Sequence, residues 1–143
     1  MRKILFRGKR VDNGEWLYGD LLHDKFLLSN EKICQIYDMN SNLTHRQNIV
    51  LPETIGQYTG LSDKNRTKIF EGDIVNILGN QDVANWKDVN YNALIAFIDG
   101  GFCAINGTLE EHGFRRYALA RMDFDLEVIG NIYDNPELLG GAE

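Results

Sequence analysis

Apolar residues in this chain recur mostly at every second position, in short runs parted by turns rich in glycine, asparagine and aspartate. That period is the signature of strands with two different faces. Ile4, Phe6 and Gly8 alternate with Lys3, Leu5, Arg7 and Lys9, and Trp16 to Leu21 supplies a returning strand. Asn13-Gly14 stands between them and favours the positive φ angles of a type I′ turn, so the first hairpin is predicted there. Phe26-Leu27-Leu28 and Ile33 to Tyr37 flank Ser29 to Lys32 as a second hairpin. Asp38 to Asn48 then becomes polar, a surface loop long enough to be either mobile or functional. Leu51-Pro52-Glu53 marks re-entry into the core, because proline fixes its own φ and drives its predecessor toward extended geometry.

The most informative run is Ile55 to Ile77, IGQYTGLSDKNRTKIFEGDIVNI. Ile55, Gln57 and Thr59 alternate with Gly56 and Tyr58, and Gly60 frees the chain to turn. Asp63-Lys64-Asn65-Arg66 is a turn because Asp and Asn side chains bond nearby backbone amides and Asn tolerates left-handed angles. Lys68-Ile69-Phe70 forms a short strand. Glu71-Gly72-Asp73 then reverses the chain sharply before Ile74 to Leu78 extends again.

Gly79 to Asn92 is a second long polar loop, with Trp86 isolated inside it. Ala93 to Ile98 and Phe102 to Ile105 enclose Asp99-Gly100-Gly101 as a further hairpin. Thr108 to Met122 leans toward helix, but Gly113 limits it to a short one. Glu127 to Tyr133 is a last strand, followed by a turn that Asn135 caps, Pro136 starts and Gly140 stops.

Candidate chemistry is sparse. His23, His45 and His112 lie in polar surroundings without a second ligand at metal-binding spacing, and are read as surface residues. No CxxC pair or GxSxG elbow is present. A calcium loop starting at Asp63 would need glycine where Lys68 stands and a bidentate glutamate where Ile74 stands. Glu71 and Asp73 flank a glycine as an acid and base pair would, yet carboxylates at a strand turn more often satisfy backbone amides. Asp73 is therefore expected to be structural. No catalytic residue, metal or cofactor is assigned.

The formal net charge of -6 argues against a surface made throughout to hold a polyanion. Charge is nonetheless uneven: Arg2, Lys3, Arg7, Lys9 and Arg10 supply five of the fifteen basic residues, and Arg115-Arg116 form a second small pair. The N-terminal group lies beside Phe6, Trp16 and Tyr18, a combination with which small β-barrels stack bases in a positive groove. The same aromatics equally suit a hairpin core. With two cysteines, Cys34 and Cys103, the chain lacks a disulfide framework, and both are read as buried thiols in a reducing compartment. No apolar run reaches signal-peptide or bilayer length, so a cytoplasmic protein with no membrane partner is expected.

The string GQYTGLSDKNRTKIFEGDIV resembles the core of the YopX family of phage and prophage proteins, typically written with QYTGL, DKNG and EGDIV. KILFRGKRVDNGEWLYGDLL and EVIGNIYDNPELL agree with it at either end. Arg66 stands where the family usually has glycine, which suggests that Asn65 takes the strained angle. The resemblance implies a mainly β, pseudo-barrel fold and a phage setting in a bacterial host, and implies no biochemical activity.

A single domain over all 143 residues is expected: hairpins over residues 1–50 packed on a small SH3-like or pseudo-barrel sheet over 55–133, then a short helical turn and tail over 134–143. The expected role is a non-enzymatic phage accessory protein that binds a host or phage macromolecule through its long loops or a sheet edge. Binding of single-stranded nucleic acid by Arg2, Lys3, Arg7, Lys9, Arg10, Trp16 and Tyr18 is the alternative. Short hairpins leave unpaired edges, so self-association is also expected.

Overall fold

A computed structural model describes residues 2–25, 32–78, 90–106, 115–119 and 125–140. The chain is mainly β and divides into two compact units, Met1–Gly60 and Leu61–Glu143.

In the first unit, β1 (Phe6–Lys9), β2 (Trp16–Lys25), β3 (Lys32–Tyr37), β4 (Ile49–Val50) and β5 (Gly56–Ser62) lie in the order β4-β3-β2-β1-β5. Each strand is antiparallel to its neighbour. Facing residues on antiparallel strands share a face, so the register sorts the side chains. Phe6, Leu17 and Leu21 fall on one face with Cys34, Ile36 and Val50, and these form the unit's apolar cluster together with Ile55. Gly8 sits on that face too, where an added Cβ would stand 3.0 Å from Val50.

The first hairpin exists with a different turn. Arg10 N–H donates to Glu15 O and Gly14 N–H to Arg10 O, so the loop spans four residues, and Gly14 alone has a positive φ, of 74°. A type I′ turn requires that angle at both central residues. Asp99 and Gly100 do meet the requirement, with φ of 51° and 82° between the paired Ile98 and Gly101. Gly101 is thus the first residue of the following strand. In the second hairpin β2 runs unbroken to Lys25, opposite Lys32. Phe26 to Leu28 and most of the expected turn lie outside the described residues.

Gly60 has a φ of 87° but does not turn the chain, since β5 continues to Ser62. The second unit begins at the end of β5. The turn after it holds β6 (Lys68–Phe70), with Asp63 N–H donating to Thr67 O. Arg66 itself takes the left-handed angle at φ 65°, whereas Asn65 does not, which corrects the expectation for Asn65. Asn65 is engaged elsewhere, its Nδ2 donating to Glu127 Oε1 at 3.3 Å.

β7 (Asp73–Leu78), β8 (Asn90–Ile98), β9 (Gly101–Asn106), β10 (Arg115–Ala118) and β11 (Asp125–Asn131) form an antiparallel sheet in the order β10-β9-β8-β7-β11. Having two end strands, it is open rather than a closed barrel. Val75, Ile77, Ala93, Ile95, Ala104, Leu119 and Leu126 pack with Ile69 as the core of this unit.

Two segments depart from local propensity. Arg115–Ala118, inside the run that leans toward helix, is a strand because it pairs with Cys103–Asn106 of β9. The rest of that run is outside the described residues apart from the buried Leu119. Gly79 to Gln81 and the residues through 89, including Trp86, are likewise outside them, and Asn90 to Asn92 already belong to β8. At the C-terminus Pro136–Leu139 is a short 3-10 turn ended by Gly140 at φ 67°. Asn135 precedes it without capping it, because its Oδ1 accepts from Asn131 N–H at 3.3 Å instead.

Candidate partner-binding face

The face of the first unit's sheet opposite its apolar cluster is built by alternation. Arg7 lies opposite Tyr18 and Lys9 opposite Trp16, while Asp20 and Leu22 continue along β2 on the same side. Tyr58 joins them from β5 and Tyr37 from β3, as the register places Gly56 opposite Arg7 and Tyr37 opposite Asp20. Four aromatic rings and two cations thus share the face opposite the apolar cluster.

The cations are arranged around Trp16. The Arg7 guanidinium carbon lies 4.7 Å from the Trp16 ring centroid and Lys9 Nζ 5.5 Å. Such contacts are worth roughly 0.5 to 2 kcal/mol each, the larger figure where water is excluded. Arg7 is only 5% exposed, while Lys9 and Trp16 are half-buried and Tyr18 is 45% exposed.

The N-terminal basic residues separate into groups. Arg10, 8% exposed, is neutralised by Asp12 through Nε to Oδ1 at 2.9 Å and Nη2 to Oδ2 at 2.6 Å, with Glu15 Oε2 at 3.6 Å from Nη1. The hydrogen bond from Arg10 holds the Asp12 carboxyl below its ordinary range. Arg2 and Lys3 are exposed ahead of β1. Arg115 and Arg116 lie in β10. Asn13 and Gly14 shape the loop, Asn13 Oδ1 accepting from Glu15 N–H at 3.0 Å.

A feature that periodicity does not announce lies beside this face. His45 touches Gln35 Nε2 at 2.9 Å through Nε2 and the Tyr37 hydroxyl at 3.2 Å through Nδ1. The polar loop Asp38 to Asn48 is therefore pinned across β3, and Gln35 is fully buried under it. Within the loop, Asp38 Oδ1 accepts from Asn40 N–H and Gln47 Oε1 from Thr44 N–H. His23 is exposed, and His112 falls outside the described residues.

Glu71, weighed with Asp73 as an acid and base pair, is half-buried in the turn before it, while Asp73 and Asp63, the latter weighed as the start of a calcium loop, accept from backbone. Asp73, 2% exposed, accepts from Phe70 N–H at 2.7 Å across the reversal at Gly72. Gly72 has φ of 89°, and a side chain there would also meet Tyr133 at 3.0 Å. Asp63 accepts from Asn65 N–H at 2.8 Å, Thr67 N–H at 2.9 Å and Val128 N–H at 2.9 Å. Burial alone would raise the Asp63 carboxyl, but these three donors outweigh it and hold it below its ordinary value. Among the described residues no three His, Cys, Asp or Glu side chains are grouped to hold a metal. Cys34 and Cys103 are buried free thiols, and no described helix is long and apolar enough to cross a membrane.

The family model described as YopX protein matches residues 5–140. The crystal structure of protein EF1440 from Enterococcus faecalis is similar at 25% identity and a TM-score of 0.49, covering 97% of this chain and 99% of that one. None of the curated proteins compared matches the chain.

Proposed function

The chain belongs to the YopX family, and from that premise we propose that it is a phage accessory protein that acts inside the bacterial host by binding a macromolecular partner, without catalysis. The observation that carries this reading is the aromatic and cationic face of the first sheet. Strand faces that leave the core normally carry solvated polar residues. Here Trp16, Tyr18, Tyr37 and Tyr58 occupy those positions with Arg7 and Lys9, the aromatics and arginine being residue types enriched where partners dock. Asp63 and Asp73 support the non-catalytic part of the reading, because both accept from backbone N–H groups.

Affinity purification from nuclease-treated host lysate tests the reading. A protein retained by the wild type and lost from the double variant Lys9→Gln/Tyr18→Ala supports it. Identical retention by both, with the variant folded, shows that the face holds no protein partner.

A further inference from the structure

We propose that this face binds single-stranded nucleic acid, an inference that rests on the partner-binding reading above and names the partner's class. Two exposed or half-exposed rings, Tyr18 and Trp16, lie two residues apart on β2. That is a repeat of about 6.5 to 7 Å along a strand, the spacing of successive bases in an extended rather than a helically stacked single strand. Every base has a flat apolar face, so such rings bind them with little regard to sequence.

The charges fit the same ligand. Lys9 is drawn against the Trp16 ring at one end of the pair, and Arg2 and Lys3 are exposed on the approach to β1. These amines and guanidinium donate to phosphate oxygens. Arg7 acts differently. Buried and 4.7 Å from the Trp16 ring centroid, it holds the ring in place, so the aromatic surface is formed before a ligand arrives. Arg10 takes no part, since Asp12 and Glu15 already compensate it. Asp20 bounds the site at the other end, where Leu22 extends the face with an apolar side chain.

A protein partner fits less well. The centres of protein interfaces are depleted of lysine, whereas here Lys9 lies against the Trp16 ring. A duplex fits worse still, because its bases are stacked on one another and offer no free face to Tyr18. The overall charge of -6 opposes any polyanion, so binding is short-range, modest in affinity and steeply dependent on salt.

The test is fluorescence anisotropy of a labelled oligothymidylate of about twelve nucleotides, a length that spans the site sizes of small β-sheet binders. It is titrated with the full chain at about 50 and 200 mM salt. With roughly three phosphates contacted, that fourfold rise weakens binding about twentyfold. Tyr18→Ala weakens it by roughly fivefold to a hundredfold, the range for losing one base stack, whereas Tyr18→Phe retains it. Lys9→Gln lowers the salt dependence by about one contact. Circular dichroism establishes that each variant is folded. Absence of binding at low salt, binding undiminished in folded Tyr18→Ala, or equal affinity for a duplex of the same length overturns the assignment.

The two readings fail separately. If the oligonucleotide does not bind but a lysate protein is lost from the double variant, nucleic acid is the wrong partner and partner binding by the face stands. If neither is seen, both are wrong.

Discussion

The Asp63 carboxylate accepts a hydrogen bond at 2.9 Å from the backbone N–H of Val128, a residue 65 positions further along the chain. The same carboxylate closes its own turn through Asn65 and Thr67. One side chain therefore shapes a local reversal and fastens the last strand beside it. Val128 is also where the pairing of β11 with β7 shifts by a residue, before Gly130.

Asp63→Ala is expected to lower stability by about 2 to 4 kcal/mol, since charged hydrogen bonds contribute roughly 1.5 to 3 kcal/mol each and do not add fully. Asp63→Asn keeps one acceptor oxygen for the turn but presents its amide to Val128, and should lose about 1 to 2 kcal/mol. Urea denaturation of both variants gives the comparison. Equal losses would mean that the Val128 contact contributes nothing.

Acid should act through the same group. The folded-state pKa of Asp63 is depressed, so its contribution is fully present above the unfolded carboxyl value of about 3.9 and is lost as pH falls through the folded value. The stability gap between wild type and Asp63→Asn should accordingly narrow below about pH 4. Melts from neutral pH down to about pH 2 check it. A gap that stays constant would show that the carboxylate's charge is not what stabilises this turn.

Arg66→Gly should stabilise the protein. A non-glycine residue at φ 65° bears a steric cost of about 1 kcal/mol or more, part of which glycine returns through its greater freedom when unfolded. A net gain of roughly 0.5 to 1 kcal/mol is expected, whereas Asn65→Gly should give none, because Asn65 has no positive φ to relieve. Differential scanning calorimetry on the two variants distinguishes them.

The loop pinned by His45 offers a further test. His45→Ala removes contacts to Gln35 and Tyr37, so amide exchange within Asp38 to Asn48 should accelerate while the core strands change little. Global stability should fall by only about 1 kcal/mol. Exchange that rises uniformly across β2 and β3 would show instead that His45 supports the whole sheet.

What could be read from sequence was what neighbours along the chain determine. Strand alternation, the Asp99-Gly100 reversal, the Asp63 turn and the structural use of Asp73 all depend on residues within a few positions of one another. The contact to Val128 was hidden because no local pattern reports a partner 65 positions away. Asn13-Gly14 misled for a related reason: a dipeptide favours a turn type, but pairing of Lys9 with Trp16 sets the loop length and left room for four residues between Arg10 and Glu15. At Arg115–Ala118 pairing with β9 overrode helical preference. The face carrying Trp16 and Tyr18 was legible as a group of residues, but not the division of labour within it. Alternation puts Arg7 and Lys9 on one side without saying that Arg7 is buried and Lys9 only half-buried.

The two buried thiols have a practical consequence. Cys34 belongs to the first unit and Cys103 to the second, and each is a buried free thiol. A thiol reagent reaches either one only while the structure around it is open. The chain therefore carries two chemical clocks, and Cys34→Ala or Cys103→Ala leaves one of them running alone. Labelling rates measured on those variants would time the opening of each unit separately, without a foreign probe in either core.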